Sequence, residues 1–177
     1  MKKSVILKGR AVVVRNEKNE PIDDIDTDMI FHNKYLHITE LSEMGQYAFD
    51  NLDGWKDFAK KDRQGDILIL GANFGSGSSR QQAVDCFTAL GVRVLIAKSY
   101  GAIYKRNAIN AGMPILQADV IDETKFIENN DEIEVNLETG LIKNLTKKEN
   151  YKANGMSNVQ MDIYQSGNLF EYAKKSK

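Results

Sequence analysis

The chain has 177 residues, of which 42% are hydrophobic, so it is long enough to bury the core of one domain spanning residues 1–177. Its 24 basic residues balance 25 acidic ones, and no basic surplus is present to bind nucleic acid. One cysteine, Cys86, can neither form an intrachain disulfide nor hold an iron–sulfur cluster alone. No apolar run is long enough for a signal peptide or a membrane span, so we expect a soluble cytoplasmic protein with no membrane partner.

The apolar pattern predicts strands and helices that alternate through the middle of the chain. The predicted strands cover residues 5–15, 66–70, 92–97 and 113–116. The predicted helices cover residues 80–90 and 100–111, and Gly91 and Gly112 follow them as left-handed C-cap residues. This alternation favours an α/β fold with parallel pairing.

Three further elements are predicted outside this region. Apolar residues at three- and four-residue steps predict a longer helix from Leu41, with Thr39 as its N-cap and an interruption near residues 53–54. Residues 132–136 and 141–142 have the pattern of a hairpin. The chain should end in an amphipathic helix at 169–175, and the lysine-rich stretch 147–152 is expected to be a solvated turn.

The segment Gly71–Arg80 joins a predicted strand to the next predicted helix. Gly75 and Gly77 let its backbone bend, and Ser76 lies between them. Loop N–H groups, serine hydroxyls and the helix dipole converge on an anion at such a junction. The Arg80 guanidinium adds a fork that suits carboxylates and phosphates. The sequence therefore predicts an anion-binding loop at Gly75, Ser76 and Gly77.

Two familiar phosphate-binding patterns do not fit this loop. A P-loop needs glycine where Ser76 stands and a Lys-Ser/Thr pair after it. The dinucleotide fingerprint needs glycine or alanine where Arg80 stands. A tight strand-to-helix connection with Ser78 or Ser79 as N-cap explains the same residues without any ligand. On the residues alone, both interpretations remain open.

Four motifs in chain order resemble the swivelling domain of the aconitase superfamily. Residues 71–83, GANFGSGSSRQQA, are similar to its signature, which usually centres on GSSRE in the small subunits of isopropylmalate dehydratase and homoaconitase. Residues 24–28 (DIDTD), 34–36 (KYL) and 97–114 (AKSYGAIYKRNAINAGMP) resemble its DxDTD, R-Y-L and AxSFxxIFxRNAIN segments. The resemblance implies an α/β fold, a swivelling β/β/α domain like the C-terminal lid domain of aconitases, here in a separate chain.

The resemblance also implies a reaction and a partner. The small subunits of this family act in two-subunit hydro-lyases, which here would interconvert 2-isopropylmalate and 3-isopropylmalate in leucine biosynthesis. A large subunit with three cysteines would carry the [4Fe-4S] cluster and its Lewis-acid chemistry in a heterodimer or heterotetramer, so this chain would bind no metal or cofactor itself. A small subunit of homoaconitase or of a methylated-malate dehydratase is one alternative, and a non-catalytic anion-binding regulatory domain is another.

By resemblance, the catalytic residue is Ser78, acting as an alkoxide base. A serine hydroxyl needs strong help to ionise near neutral pH, and the helix N-terminus, loop N–H groups and Arg80 are the expected sources. Arg80 and Ser79 would bind a substrate carboxylate. Thr27 and Asp28 resemble the family's active-site pair, with an Asx-type turn as the alternative explanation.

The family selects its substrate in the loop after Tyr-Leu, which here contains His37, Ile38 and Thr39. Ile38 is expected to offer apolar surface to an alkyl group, while His37 either faces solvent or donates weakly to a carboxylate. Lys34 stands where arginine is commoner and would contact substrate as a point charge.

Other positions depart from the family pattern or have a structural explanation. Gln81 and Gln82 replace the usual Glu-His, and Ser76 replaces the usual Cys. Cys86 is expected to pack in the core. Arg106-Asn107 is expected to tie the second helix to the sheet through backbone carbonyls, with a functional role as the alternative.

Overall fold

The computed structural model describes residues 1–121 and 127–175. Its strands are β1 (Ile6–Val13), β2 (Ile67–Leu70), β3 (Val94–Ala97), β4 (Ile115–Gln117), β5 (Glu132–Asn136), β6 (Leu141–Asn144) and β7 (Glu149–Lys152). Its α-helices are α1 (Thr27–Ile30), α2 (Leu41–Met44), α3 (Gln82–Ala89), α4 (Ala102–Asn110), α5 (Asn158–Ser166) and α6 (Leu169–Lys175). Short 3-10 turns cover Asn33–Tyr35, Gly45–Tyr47 and Phe58–Lys60.

The strands form one mixed sheet in the order β4-β3-β2-β1-β5-β6-β7. Strands β1 to β4 are parallel neighbours, as the alternating pattern predicted. All residues of β2 and β3 are buried because both faces of this half of the sheet are covered. Alternate side chains enter two cores, so that Leu68 and Leu70 pack with α3 while Ile67 and Ile69 pack on the opposite face.

Strand β1 belongs to both halves of the sheet. Its first part pairs antiparallel with β5, from Ile6 opposite Asn136 to Arg10 opposite Glu132. Its last part, from Ala11, pairs parallel with β2. The predicted hairpin is confirmed as β5 and β6. The predicted turn at 147–152 is wrong beyond residue 148, because the following residues pair with β6 as the edge strand β7.

The long helix predicted from Leu41 is also wrong. Only α2 is α-helical, and Thr39 does not cap it, since Glu40 is the N-cap residue and makes no side-chain cap hydrogen bond. The helix cannot continue because Phe49 has a left-handed φ of 60° and its N–H donates to the Ile30 carbonyl at 2.9 Å. A tertiary hydrogen bond has taken the place of the helical one.

The sequence contained a signal for α5 that the prediction missed. Ser157 accepts a hydrogen bond from the Gln160 N–H, and the Gln160 side chain accepts one from the Ser157 N–H. This reciprocal capping box is a recognised start signal for a helix. The terminal helix α6 lies at the predicted residues.

Candidate active site

The glycine–serine loop after β2 is held against the segment that follows β3. Parallel neighbouring strands end at the same edge of a sheet, so the two segments leave it side by side. The Phe74 N–H donates to the Ser99 carbonyl at 3.0 Å, and the Gly101 N–H donates to the Phe74 carbonyl at 2.9 Å. The loop is therefore fixed next to the first residues of α4.

Gly75 occupies a position that only glycine can fill. Its φ is 77°, and a Cβ there would lie 2.1 Å from Cγ of the buried Tyr104. The Gly75 N–H donates to the Ile25 carbonyl at 2.8 Å. That N–H is not available to an anion, so the binding role predicted for Gly75 is replaced by a role in shaping the loop.

The acidic segment 24–28 lies directly against this loop. The Thr27 N–H donates to the Ser76 carbonyl at 2.9 Å, which forms a short parallel bridge. The contact brings Thr27 Oγ1 to 3.2 Å from Ser78 Oγ. Asp26, one residue earlier, caps α1 by accepting the Met29 N–H. The turn-type explanation therefore fits Asp26, whereas the Thr27 side chain reaches the predicted catalytic serine.

Arg80 and Asp28 form the charged part of the site. Arg80 Nη1 donates to Asp28 Oδ1 at 3.0 Å, to the Phe31 carbonyl at 2.7 Å and to the Thr27 carbonyl at 3.3 Å. The Arg80 side chain is only 11% exposed. All three bonds leave from Nη1, and within the described residues Nη2 and Nε make none. One side of the guanidinium fork is thus anchored and the other is available.

The Asp28 carboxylate is stabilised as an anion. Partial burial raises its pKa, but hydrogen bonds from the Asn33 N–H and from Arg80 outweigh that effect and hold the pKa below its ordinary value. A third donor, Asn51 Nδ2, lies 3.2 Å from Asp28 Oδ2. Sequence reasoning missed Asn51, which no motif marks.

Ser78 and Ser79 are exposed and neither caps the following helix. Helix α3 begins at Gln82 with Gln81 as its N-cap residue and no side-chain cap, slightly later than predicted. Among the described residues, the N–H groups of 77–79 have no hydrogen-bond partner, whereas Ser76 takes part in the parallel bridge to Asp26. The purely structural explanation of the serines as helix caps is therefore removed, and a set of unpaired donors surrounds Ser78.

Ser79 contacts the second helix of the parallel half. Asn107 Nδ2 lies 3.3 Å from Ser79 Oγ. The prediction gave Asn107 a role in tying α4 to the sheet, but its side chain reaches the serine loop instead.

The other predicted residues are Lys34 and the loop residues 37–39. Lys34 pairs with Asp50 at 3.6 Å and lies over the Tyr35 ring. His37 and Thr39 are exposed. Ile38 is buried in the core, so it does not offer the apolar surface expected of it.

The chain's own residues do not fit an iron–sulfur cluster. Burial raises the pKa of the Cys86 thiol far above its ordinary value, and Sγ lies 3.7 Å from the Ala83 carbonyl oxygen. Over residues 1–121 and 127–175, the structure has no group of three or more His, Cys, Asp or Glu side chains that could hold a metal ion. No described helix combines the length and apolar character needed to cross a bilayer.

Comparisons with known proteins show which family the chain resembles. The model of the aconitase C-terminal domain matches residues 14–120. The 3-isopropylmalate dehydratase small subunit 1 of Archaeoglobus fulgidus is 45% identical over 86% of this chain and 91% of its own length. The corresponding small subunit of Aquifex aeolicus is 43% identical over 86% of this chain and 89% of its own length.

The same relationship appears in three dimensions. The crystal structure of 3-isopropylmalate dehydratase from Methanocaldococcus jannaschii matches with a TM-score of 0.84 and 34% identity, over 97% of this chain and 95% of that one. The resemblance read from the four sequence motifs is thereby confirmed, as is the swivelling aconitase-like fold. The chain belongs to the family of 3-isopropylmalate dehydratase small subunits, built on the aconitase C-terminal domain.

Proposed function

We propose that this chain is the small subunit of a cytoplasmic two-subunit hydro-lyase that interconverts 2-isopropylmalate and 3-isopropylmalate, with Ser78 as its base. The observation that carries the proposal is the contact between two motifs remote in sequence. Thr27 Oγ1 lies 3.2 Å from Ser78 Oγ, and Asp28 holds Arg80 at 3.0 Å. The Ser78 hydroxyl and the Arg80 guanidinium therefore lie in one site, next to the carboxyl ends of β1 and β2.

The surroundings of Ser78 can stabilise a negative oxygen. Thr27 Oγ1 can donate to Ser78 Oγ, and the unpaired N–H groups of 77–79 add positive ends of dipoles. The deprotonated Ser78 would take the proton from the carbon beside the substrate carboxylate during dehydration. It would return that proton during rehydration, so the serine ends each cycle in its starting state.

Arg80 is the proposed carboxylate ligand. Its Nη1 is held by Asp28 and two carbonyls, which leaves Nη2 and Nε to form a two-point contact with a planar anion. Ser79 Oγ, oriented by Asn107, can donate to the same carboxylate. The substrate would then be fixed with its acidic carbon near Ser78.

The rest of the site must come from a partner. The relatives are named small subunits, which supports a large-subunit partner, in a heterodimer or heterotetramer. Its expected [4Fe-4S] cluster would supply a Lewis acid for the departing hydroxyl. The residues of this chain described above bind the carboxylate and move the proton.

The substrate's variable group is proposed to be an alkyl group. Around the predicted specificity loop, the exposed apolar side chains are Leu36 and Leu41, not Ile38. No arginine occurs between residues 34 and 41 to receive a third carboxylate. Measuring kcat/KM of the reconstituted complex should favour 3-isopropylmalate over homoaconitate and citrate. A tricarboxylate preferred by about tenfold, or about 1.4 kcal/mol, would contradict this assignment.

The role of Ser78 is tested with Ser78→Ala in the reconstituted complex. The change removes the base without removing a core side chain, so assembly should be unaffected while kcat falls by about two orders of magnitude or more. Ser166→Ala, at the end of α5, is the matched control and should keep wild-type activity. A Ser78→Ala complex that retains half of the wild-type kcat would exclude Ser78 as the base.

A further inference from the structure

Residues Phe49, Asp50 and Asn51 form a short segment that we name the 49–51 clamp. Phe49 is fully buried and has a left-handed φ of 60°. Bulky residues rarely adopt this conformation, and it persists only where the surrounding structure enforces it. Here the Phe49 ring packs edge-on against Phe58 and Phe87, with centroids 5.0 and 5.2 Å away. The aromatic core thus fixes the direction in which the next two residues leave.

Each residue of the 49–51 clamp contacts the segment between Asp28 and Tyr35. The Phe49 N–H donates to the Ile30 carbonyl at 2.9 Å. Asp50 Oδ2 accepts from the Tyr35 hydroxyl at 2.6 Å. Asn51 Nδ2 lies 3.2 Å from both Oδ2 and the carbonyl oxygen of Asp28. The 49–51 clamp therefore holds the segment that carries Asp28 at several points.

The contact with Asp28 bears directly on the candidate site. Asp28 Oδ1 accepts from Arg80 Nη1 at 3.0 Å and from the Asn33 N–H at 2.8 Å. Only Oδ2 is left to the Asn51 amide. A carboxylate bound through both oxygens cannot rotate about its Cβ–Cγ bond without losing a donor. The orientation of Oδ1, and with it one anchor of Arg80, depends on Asn51.

We infer that Asn51 is a positioning residue, which acts through Asp28 to hold the Arg80 guanidinium in the orientation that binds the substrate carboxylate. The inference rests on the proposed function, because it needs Arg80 to be the carboxylate ligand. It assigns Asn51 no contact with the substrate.

The test compares Asn51→Leu, Asn51→Asp and Asn51→Gln in the reconstituted complex. Leucine has a similar size and removes the donor, while aspartate is isosteric and places a carboxylate against Asp28. Both variants should raise KM roughly fivefold or more and change kcat by less than about twofold, because binding is weakened more than the proton-transfer step. Glutamine restores the amide and should bring KM at least halfway back on a logarithmic scale.

Asn150→Asp is the matched control, since it makes the same charge change at an exposed position on the edge strand β7. Its KM should equal that of the wild type. A KM within about twofold of wild type in both Asn51→Leu and Asn51→Asp would overturn the inference, as would a fall in kcat with unchanged KM. A wild-type complex without hydro-lyase activity would instead overturn the proposed function, and the positioning role with it.

Discussion

Arg80 is the residue on which the candidate site depends most closely. Its Nη1 bonds to Asp28, Thr27 and Phe31 join the loop after β2 to α1 and to the residue that follows α1. The side chain is mostly buried, so its desolvation is compensated by a carboxylate and two carbonyls. The same side chain thus stabilises the local fold and presents its remaining donors outward.

Arg80→Lys should separate these two roles. A lysine ammonium can keep the contact with Asp28, but it cannot also present a planar pair of donors to a carboxylate. In the reconstituted complex we expect KM to rise about tenfold, equivalent to about 1.4 kcal/mol, with a smaller change in kcat. Arg93→Lys, at the opposite edge of the parallel strands, serves as the control. An unchanged KM would mean that Arg80 is structural only.

The Asp28 carboxyl predicts a pH dependence of stability. Its pKa in the folded chain lies below the ordinary value, so its stabilising effect is fully present above that value and is lost as the pH falls through the folded pKa. Asp28→Asn should therefore lower Tm more at pH 7 than at about pH 3, because pH 3 lies below the ordinary pKa of an aspartate and part of the stabilisation is already lost there. Thermal unfolding of both chains across this range gives the comparison. An equal difference in Tm at both pH values would contradict it.

At the scale of elements, the glycine–serine loop is shaped by what packs beneath it. Tyr104 on α4 lies under Gly75, and its hydroxyl donates to the Ala83 carbonyl of α3 at 3.0 Å. The loop therefore rests on a ring that also connects the two helices. A side chain at Gly75 would have to displace that ring.

Gly75→Ala should destabilise the chain far more than the same change at Gly54. The two glycines have nearly equal φ values, 77° and 79°, but a Cβ at Gly54 would meet no atom within 4 Å. Gly54→Ala should cost about 1 kcal/mol from backbone strain alone. Gly75→Ala adds the overlap with Tyr104, which should bring a further 1–3 kcal/mol or so. Denaturant unfolding of both variants measures the difference in their free energies of unfolding. Equal destabilisation of the two variants would contradict this prediction, because it would mean that Tyr104 moves aside without loss of stability.

The elements that could be predicted are those whose pattern is local. Strands β2 and β3 are continuous apolar runs, and the glycines that follow α3 and α4 mark where each helix ends. The sequence after Leu41, where a long helix was wrongly predicted, has an equally regular spacing of apolar residues. What decides against it is the hydrogen bond from Phe49 to Ile30, a contact between distant residues. Local propensity carries no information about such a contact.

As with the secondary structure, only part of the candidate site could be predicted from the sequence. The motifs identified Ser78, Arg80, Thr27 and Asp28, and the structure brings these four together. Asn51 belongs to no motif, and its importance follows only from its distance to Asp28. Ile38 lies in the loop that follows the matched KYL segment, and its side chain is buried in the core. The motifs therefore identified the functional side chains. Their hydrogen-bond partners and orientations could be known only from the folded structure.

At the scale of the whole molecule, the sheet places the candidate site at one exposed edge. β1 links the parallel half to the antiparallel half, and the loops that carry Ser78 and Thr27 leave the carboxyl ends of β2 and β1. Ser78 and Ser79 are exposed, so nothing in the described part of this chain closes over a substrate bound there. A catalytic site that excludes water needs a second surface facing this edge.

We therefore expect this chain to be catalytically silent when purified alone under anaerobic conditions. Its buried Cys86 cannot ligate iron, and Ser78 without a Lewis acid opposite it cannot expel a hydroxyl group. Adding the separately purified large subunit should produce hydro-lyase activity that rises with the amount added and saturates at a fixed ratio of the two chains. That ratio, measured together with the mass of the complex, would distinguish a heterodimer from a heterotetramer. Clear turnover of 3-isopropylmalate by this chain alone would contradict the division of the site between two subunits, because it would require the complete chemistry to reside at an exposed serine and a single arginine.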